Sequence, residues 1–113
     1  MTSDERSVRR KDRLARNETL FREVNERVQE INEAAENDVV DFICECGSDD
    51  CTALISLTRF EYEQLRADPV LFAIVPGHEI PEIEDIVSEH DRFDVVRKHE
   101  DEQAIARATD PRA

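Results

Sequence analysis

Thirty-three consecutive residues, 5–37, contain neither glycine nor proline, and no other feature restricts the fold so strongly. With nothing to break it, this run is expected to form one long helix. Leu14, Phe21, Val24, Val28, Ile31 and Ala35 recur along it at alternating steps of three and four, with Asn17 in the remaining position of the series. Such a series is an a/d seam of the kind that docks a helix on its own domain or pairs it with a second one. In a pair, Asn17 would set the register, as single polar seam residues do. Glu18–Arg22 and Glu23–Arg27 are placed to support the helix at i,i+4 however it packs. Asn37-Asp38 is read as its end.

Beyond Val39 the periodicity changes. Val39 to Cys46 alternates like a half-buried strand, Gly47-Ser48-Asp49-Asp50 reads as a turn, and Cys51 to Leu57 reads as the returning strand of a hairpin. Thr58-Arg59-Phe60-Glu61 is a capping box that opens a short helix, stopped by Asp68-Pro69. Val70–Val75 is an apolar strand closed by the turn Pro76-Gly77-His78-Glu79. Pro81 suits the first turn of a further helix carrying Ile83, Ile86 and Val87 inward. Phe93–Arg97 is a last strand, and the residues after Asp101 form at most one helical turn around Ala104-Ile105. The expected architecture is α+β in the order α-ββ-α-β-α-β: a long N-terminal amphipathic helix (1–37), then a domain (38–113) built on a small mixed sheet.

Charge narrows the function classes. The 113 residues carry 15 Lys plus Arg against 28 Asp plus Glu, a formal net charge of −13. The helical region 1–37 holds 8 basic and 9 acidic residues, and the remainder holds 7 and 19. Arg6, Arg9, Arg10, Lys11, Arg13 and Arg16 make the start of the helix basic, whereas the body is strongly acidic. An acidic body argues against duplex DNA, whose binding draws on phosphate neutralisation. RNA or an acidic surface could be touched only by the basic tip. No apolar run is long enough to cross a membrane, and the charged start lacks a signal peptide's apolar stretch, so a cytoplasmic protein is expected.

The chemistry is concentrated in eight residues. All three cysteines lie in the pattern Cys44-x-Cys46-Gly47-x3-Cys51, around the hairpin turn. A glycine directly after a ligand cysteine lets backbone N–H groups turn back toward the sulfurs. Three thiolates leave one position of a tetrahedral Zn²⁺ shell, and His78, in a Pro-Gly-His turn directly after a strand, is the best candidate for it. His90 and His99 lie in charged stretches with no turn to fix them. The competing readings are buried structural thiols and a Cys46–Cys51 disulfide, the latter disfavoured in a reducing compartment. Glu79, Glu82, Glu84, Asp85 and Glu89 read as a solvated helix face. With two glycines in the chain there is no phosphate-binding fingerprint, and no Ser–His–Asp series occurs.

The segments Arg16–Arg27, Cys44-Glu45-Cys46-Gly47 with Cys51, Leu57–Glu63 and Pro76-Gly77-His78 resemble a family of small actinobacterial proteins of uncharacterised function. The resemblance covers residues 13 to 112 and brings no activity with it. It implies that the cysteine cluster and the Pro-Gly-His turn form one site, in a protein of actinobacterial origin.

The sequence therefore points to a zinc-stabilised binding or regulatory adaptor module without catalytic activity. A protein partner or a second copy would meet it through Leu14, Phe21, Val24, Val28 and Ile31. A thiol/zinc redox sensor that changes partner binding on oxidation is the alternative.

Overall fold

The expected long helix is present as α1 (Ser3–Ile31) in the computed structural model, which describes residues 3–112. It stops six residues earlier than the absence of Gly and Pro suggests. Polar side chains end it: Asn32 Oδ1 accepts from the Ala34 amide at 2.8 Å, and Asp38 closes a turn onto Ala35 through both its amide and its carboxylate. Short polar side chains that bond nearby backbone offer the chain an alternative to the helix.

A hairpin follows, formed by β1 (Val39–Ile43) and β2 (Leu54–Thr58) paired antiparallel with Val40 opposite Leu57 and Phe42 opposite Ile55. Thr58 caps α2 (Arg59–Arg66) by the reciprocal bonds its sequence implies, Glu61 N to Thr58 Oγ1 at 3.0 Å and Thr58 N to Glu61 Oε1 at 2.8 Å. Three strands then form a second antiparallel sheet: β3 (Leu71–Ile74), β4 (Glu84–Glu89) and β5 (Asp94–Lys98), in the spatial order β3-β5-β4. The last element is α3 (Glu100–Ala108), whose first turn carries three acidic residues and whose last carries Arg107, both favourable to the helix dipole.

The class is α+β, with two small antiparallel sheets where a single mixed one was expected. Three further expectations are corrected. The segment after Pro81 is a strand: Pro81 occupies the second position of a turn closed by Ile83 N to Ile80 O at 3.0 Å, and the β-branched residues that follow pair with β5. The C-terminal residues form a full helix whose Ala106 is buried. Third, α1 does dock on its own chain, but not by the seam. The core is built from Phe42, Leu57, Tyr62, Val70, Phe72, Ile74 and Val96, with Phe42 and Tyr62 stacked at 4.6 Å. Below Leu14 and Ala15, α1 meets this body with Glu18, Arg22, Asn25, Glu26 and Gln29, all buried.

The seam is divided as a result. Leu14 is core, Phe21 and Val28 are half-buried, and Val24 and Ile31 face solvent. The polar face goes inward because the body offers partners to most of the groups on it. Arg22 donates to the carbonyls of Pro69 (2.6 Å) and Ala106 (2.8 Å) and lies 4.8 Å over the Phe72 ring. Glu26 accepts from Tyr62 Oη, Arg66 and Arg112. Asn25 serves as a surrogate strand on the free edge of β1, accepting from Ile43 N at 2.8 Å and donating to Ile43 O at 2.9 Å. Buried polar groups so paired escape the penalty that makes polar interiors unstable.

Candidate metal centre

Cys44, Cys46, Cys51 and His78 converge, their ligand atoms all lying within 4.8 Å of one another. Each arm of the site has a local cause. β1 ends at Ile43, although Cys44 N still bonds Ala53 O at 2.9 Å, so Cys44 stays anchored to the hairpin. The chain then swings toward the second sheet, where Glu45 N donates to Ala73 O at 2.9 Å. Gly47 takes a φ of +78, a left-handed conformation that reverses the chain and brings Cys51 back over the first two cysteines. On the opposite side, Pro76 and Gly77 (φ +90) occupy the central positions of a turn closed by His78 N to Val75 O at 2.9 Å. Proline second and a positive-φ glycine third are the type II pattern. That turn delivers His78 Nδ1 to 3.6 Å from Cys44 Sγ and 3.7 Å from Cys51 Sγ.

Backbone amides point at the sulfurs as the Cys-Gly step implies. Val75 N donates to Cys44 Sγ at 3.2 Å, Cys46 N also reaches Cys44, and Ser48 N reaches Cys46. These donors favour thiolates. The thiol of Cys44 donates to Cys46, which lowers the Cys46 pKa and pushes that of Cys44 above the usual thiol range. Binding a metal through all three sulfurs would release thiol protons. Cys44 and Cys46 are each 2% exposed, and Cys51 is half-buried.

The other two histidines lie elsewhere. His90 stacks on Phe93 at 4.4 Å with Nε2 2.7 Å from Ser88 Oγ, and His99 precedes α3 with Nε2 3.2 Å from Asp85.

A shell of buried polar residues surrounds the cluster, and the seam pattern gave no hint of it. Asn17, instead of setting a helix register, donates to Gly47 O at 2.9 Å and to Asp49 Oδ1, so it pins the turn that carries the cysteines. Glu45, between two ligand candidates, is fully buried. It accepts from Asn25 Nδ2 at 2.7 Å and from Ala73 N at 3.0 Å, and burial holds its pKa above the usual carboxylate range. Gly47 lies so close to α1 that a Cβ there would come within 2.6 Å of Leu14 O and of Glu18 Cγ. Glu18 in turn pairs with Lys98, whose Nζ donates to Glu84 at 3.0 Å. Glu84 closes the ring by accepting from Ile80 N, in the loop that carries His78. Desolvation pushes the Glu84 pKa up and that of Lys98 down, each against the pull of its partner. The missed signal is the recurrence of polar residues at 18, 22, 25, 26 and 29, a helical period as regular as that of the apolar set.

The chain matches no family model, no curated protein and no solved structure. Its functional reading rests on this geometry.

Proposed function

We propose that the four residues hold one Zn²⁺ and that the protein is a zinc-stabilised, non-catalytic binding module. The observation that carries the reading is the spacing of the ligand atoms. Zinc bonds of about 2.3 Å to sulfur and about 2.0–2.1 Å to nitrogen, at tetrahedral angles, set S and N roughly 3.6 Å apart. The two S···N separations are 3.6 and 3.7 Å. Thiolates with one imidazole are also the donor set a borderline-soft, tetrahedral ion prefers. Four protein ligands close the shell and leave no position at which water could be activated, which supports a structural role.

The metal would tie the hairpin to the second sheet and hold the turn against which α1 packs. In this reading the ion contributes folding free energy to a small body, and α1 becomes a rigid platform for a partner. Redox sensing is less well supported, because two of the three sulfurs are out of reach of solvent.

Native mass spectrometry of the full chain, purified without chelator, tests the proposal. One zinc per chain is expected, together with its loss and a lowered melting temperature in Cys46→Ser. Protein that carries no metal and melts unchanged on added zinc would sink it. Cobalt substitution supplies an independent check, since a tetrahedral thiolate-rich spectrum is expected without any mutation.

A further inference from the structure

The side of α1 turned away from the body is organised as regularly as the side turned toward it. At about 100° per residue, Arg6, Arg9, Arg13, Arg16, Leu20, Val24, Arg27 and Ile31 fall on one line along the helix, at steps of three or four. Glu18, Arg22, Asn25 and Gln29 lie on the opposite side. Every member of the outer line is exposed, with Leu20 at 55%, Val24 at 42% and Ile31 at 77%. The line is cationic over its first half and mainly apolar over its second. Beside the second half stand the exposed carboxylates of Glu23 and Glu30, and Glu33 follows just past the helix end.

We infer that this line pairs with the same line of a second copy, antiparallel, about a two-fold axis at Leu20. This rests on the preceding reading only in that the metal-clamped body fixes α1 in place, so that its outer side is always presented. Antiparallel pairing about Leu20 sets that residue against its own copy. It lays Val24 on the stem of Arg16 and Ile31 on the stem of Arg9, where the long aliphatic parts of arginine cover apolar surface. The same register brings Glu23 beside Arg16, Glu30 beside Arg9 and Glu33 beside Arg6, each twice across the axis. The basic half of one helix thereby meets the acidic half of the other, and a parallel pair would set like charges together. Arg16 has an exposed intrahelical contact with Asp12 at 2.9 Å, which is weak enough to exchange. One meeting opposes the register, Arg13 against Arg27, and Asp49, 3.6 Å from Arg13, offsets it. Each body packs on the opposite side of its helix, where Glu18, Arg22, Asn25 and Gln29 are buried.

A second copy fits this line better than RNA or an anionic membrane. Both of those present negative charge along their whole length, whereas the second half of the line is mainly apolar and flanked by Glu23 and Glu30. A partner whose charge mirrors the line is supplied by the line itself.

Sedimentation velocity of the full chain at rising concentration is the test, with metal content measured on the same sample. A dimer is expected. Leu20→Asp should abolish it with helix content unchanged, since Leu20 supports nothing in the body. Arg9→Glu should raise the dimer Kd about tenfold, because each reversal acts twice across the axis. Adding Glu30→Arg should restore it. A monomer at all concentrations overturns the inference, and so does a dimer indifferent to Leu20→Asp or not rescued by the double reversal. A zinc-free dimer would leave the inference standing and remove the metal reading. Binding to RNA or anionic vesicles by a monomeric protein would assign the line to that partner instead.

Discussion

At the scale of single residues, the two glycines show how differently one backbone conformation can be used. Both have positive φ, and both make turns that deliver ligand candidates. Around Gly77 there is open space, whereas Gly47 is wedged against Leu14 and Glu18 of α1. Gly77→Ala should therefore cost only the left-handed penalty of about 1–2 kcal/mol. Gly47→Ala adds overpacking of about 1–3 kcal/mol to that penalty, and it should also loosen metal binding by shifting the turn. Chemical denaturation of the two variants, with zinc content measured alongside, checks the difference; equal losses would mean that α1 is not seated on the turn. Asn17 and Asn25 do complementary work from the helix, one holding the turn and the other the β1 edge. Their carboxamides carry both a donor and an acceptor, which suits them to backbone that has no strand to pair with.

Elements divide sharply in how far the sequence discloses them. The hairpin, α2 and its cap were readable because alternation and the Thr58–Glu61 box are local patterns, complete within a few residues. The Cys/His cluster was readable for the same reason: the Cys-Gly and Pro-Gly steps state their own backbone geometry. The inward side of α1 was not, because its partners are remote in sequence. Its partners lie from 18 residues away, Asn25 with Ile43, to more than 80, Arg22 with Ala106 and Glu26 with Arg112, so no local pattern announces that this face is buried. Strand β4 was hidden because Pro81 suits either a helix start or a turn, and β5 decides the matter. The junction of α1, β5 and β4 offers a clear test. Lys98→Met should strand the carboxylates of Glu18 and Glu84 and cost about 3–5 kcal/mol. Combining it with Glu18→Leu and Glu84→Gln should recover part of that loss, because of the neighbouring buried carboxylates only Glu102 remains and the carboxamide introduced by Glu84→Gln can still accept from Ile80 N. Calorimetry of the single and triple variants decides; a neutral single variant would show that the three groups do not depend on one another.

For the molecule as a whole, the C-terminal residues act as a clasp. Arg112 makes paired bonds of 2.8 Å to Glu63 and reaches Glu26, while Asp110 pairs with buried Arg66. The Arg112 guanidinium holds the Glu63 pKa at about 2, below its ordinary value of 4.5. A carboxylate depressed in the folded state contributes stability above 4.5 that disappears as pH falls toward 2. Melting temperature should therefore drop through that window, with a shallower slope in Glu63→Gln; parallel curves would show that the clasp is not formed. Release of a bound metal in acid would steepen both curves alike, so their difference reports Glu63. The clasp and the polar face of α1 also bear on the timing of synthesis. Translation delivers α1 first, yet residues 69, 106 and 112 are needed to satisfy Arg22 and Glu26. Asn17 and Asn25 find their partners at residues 47 and 43 early, but until the last residues are made Arg22 and Glu26 keep part of their bonding in water, so the end of the chain completes the seating of its first helix.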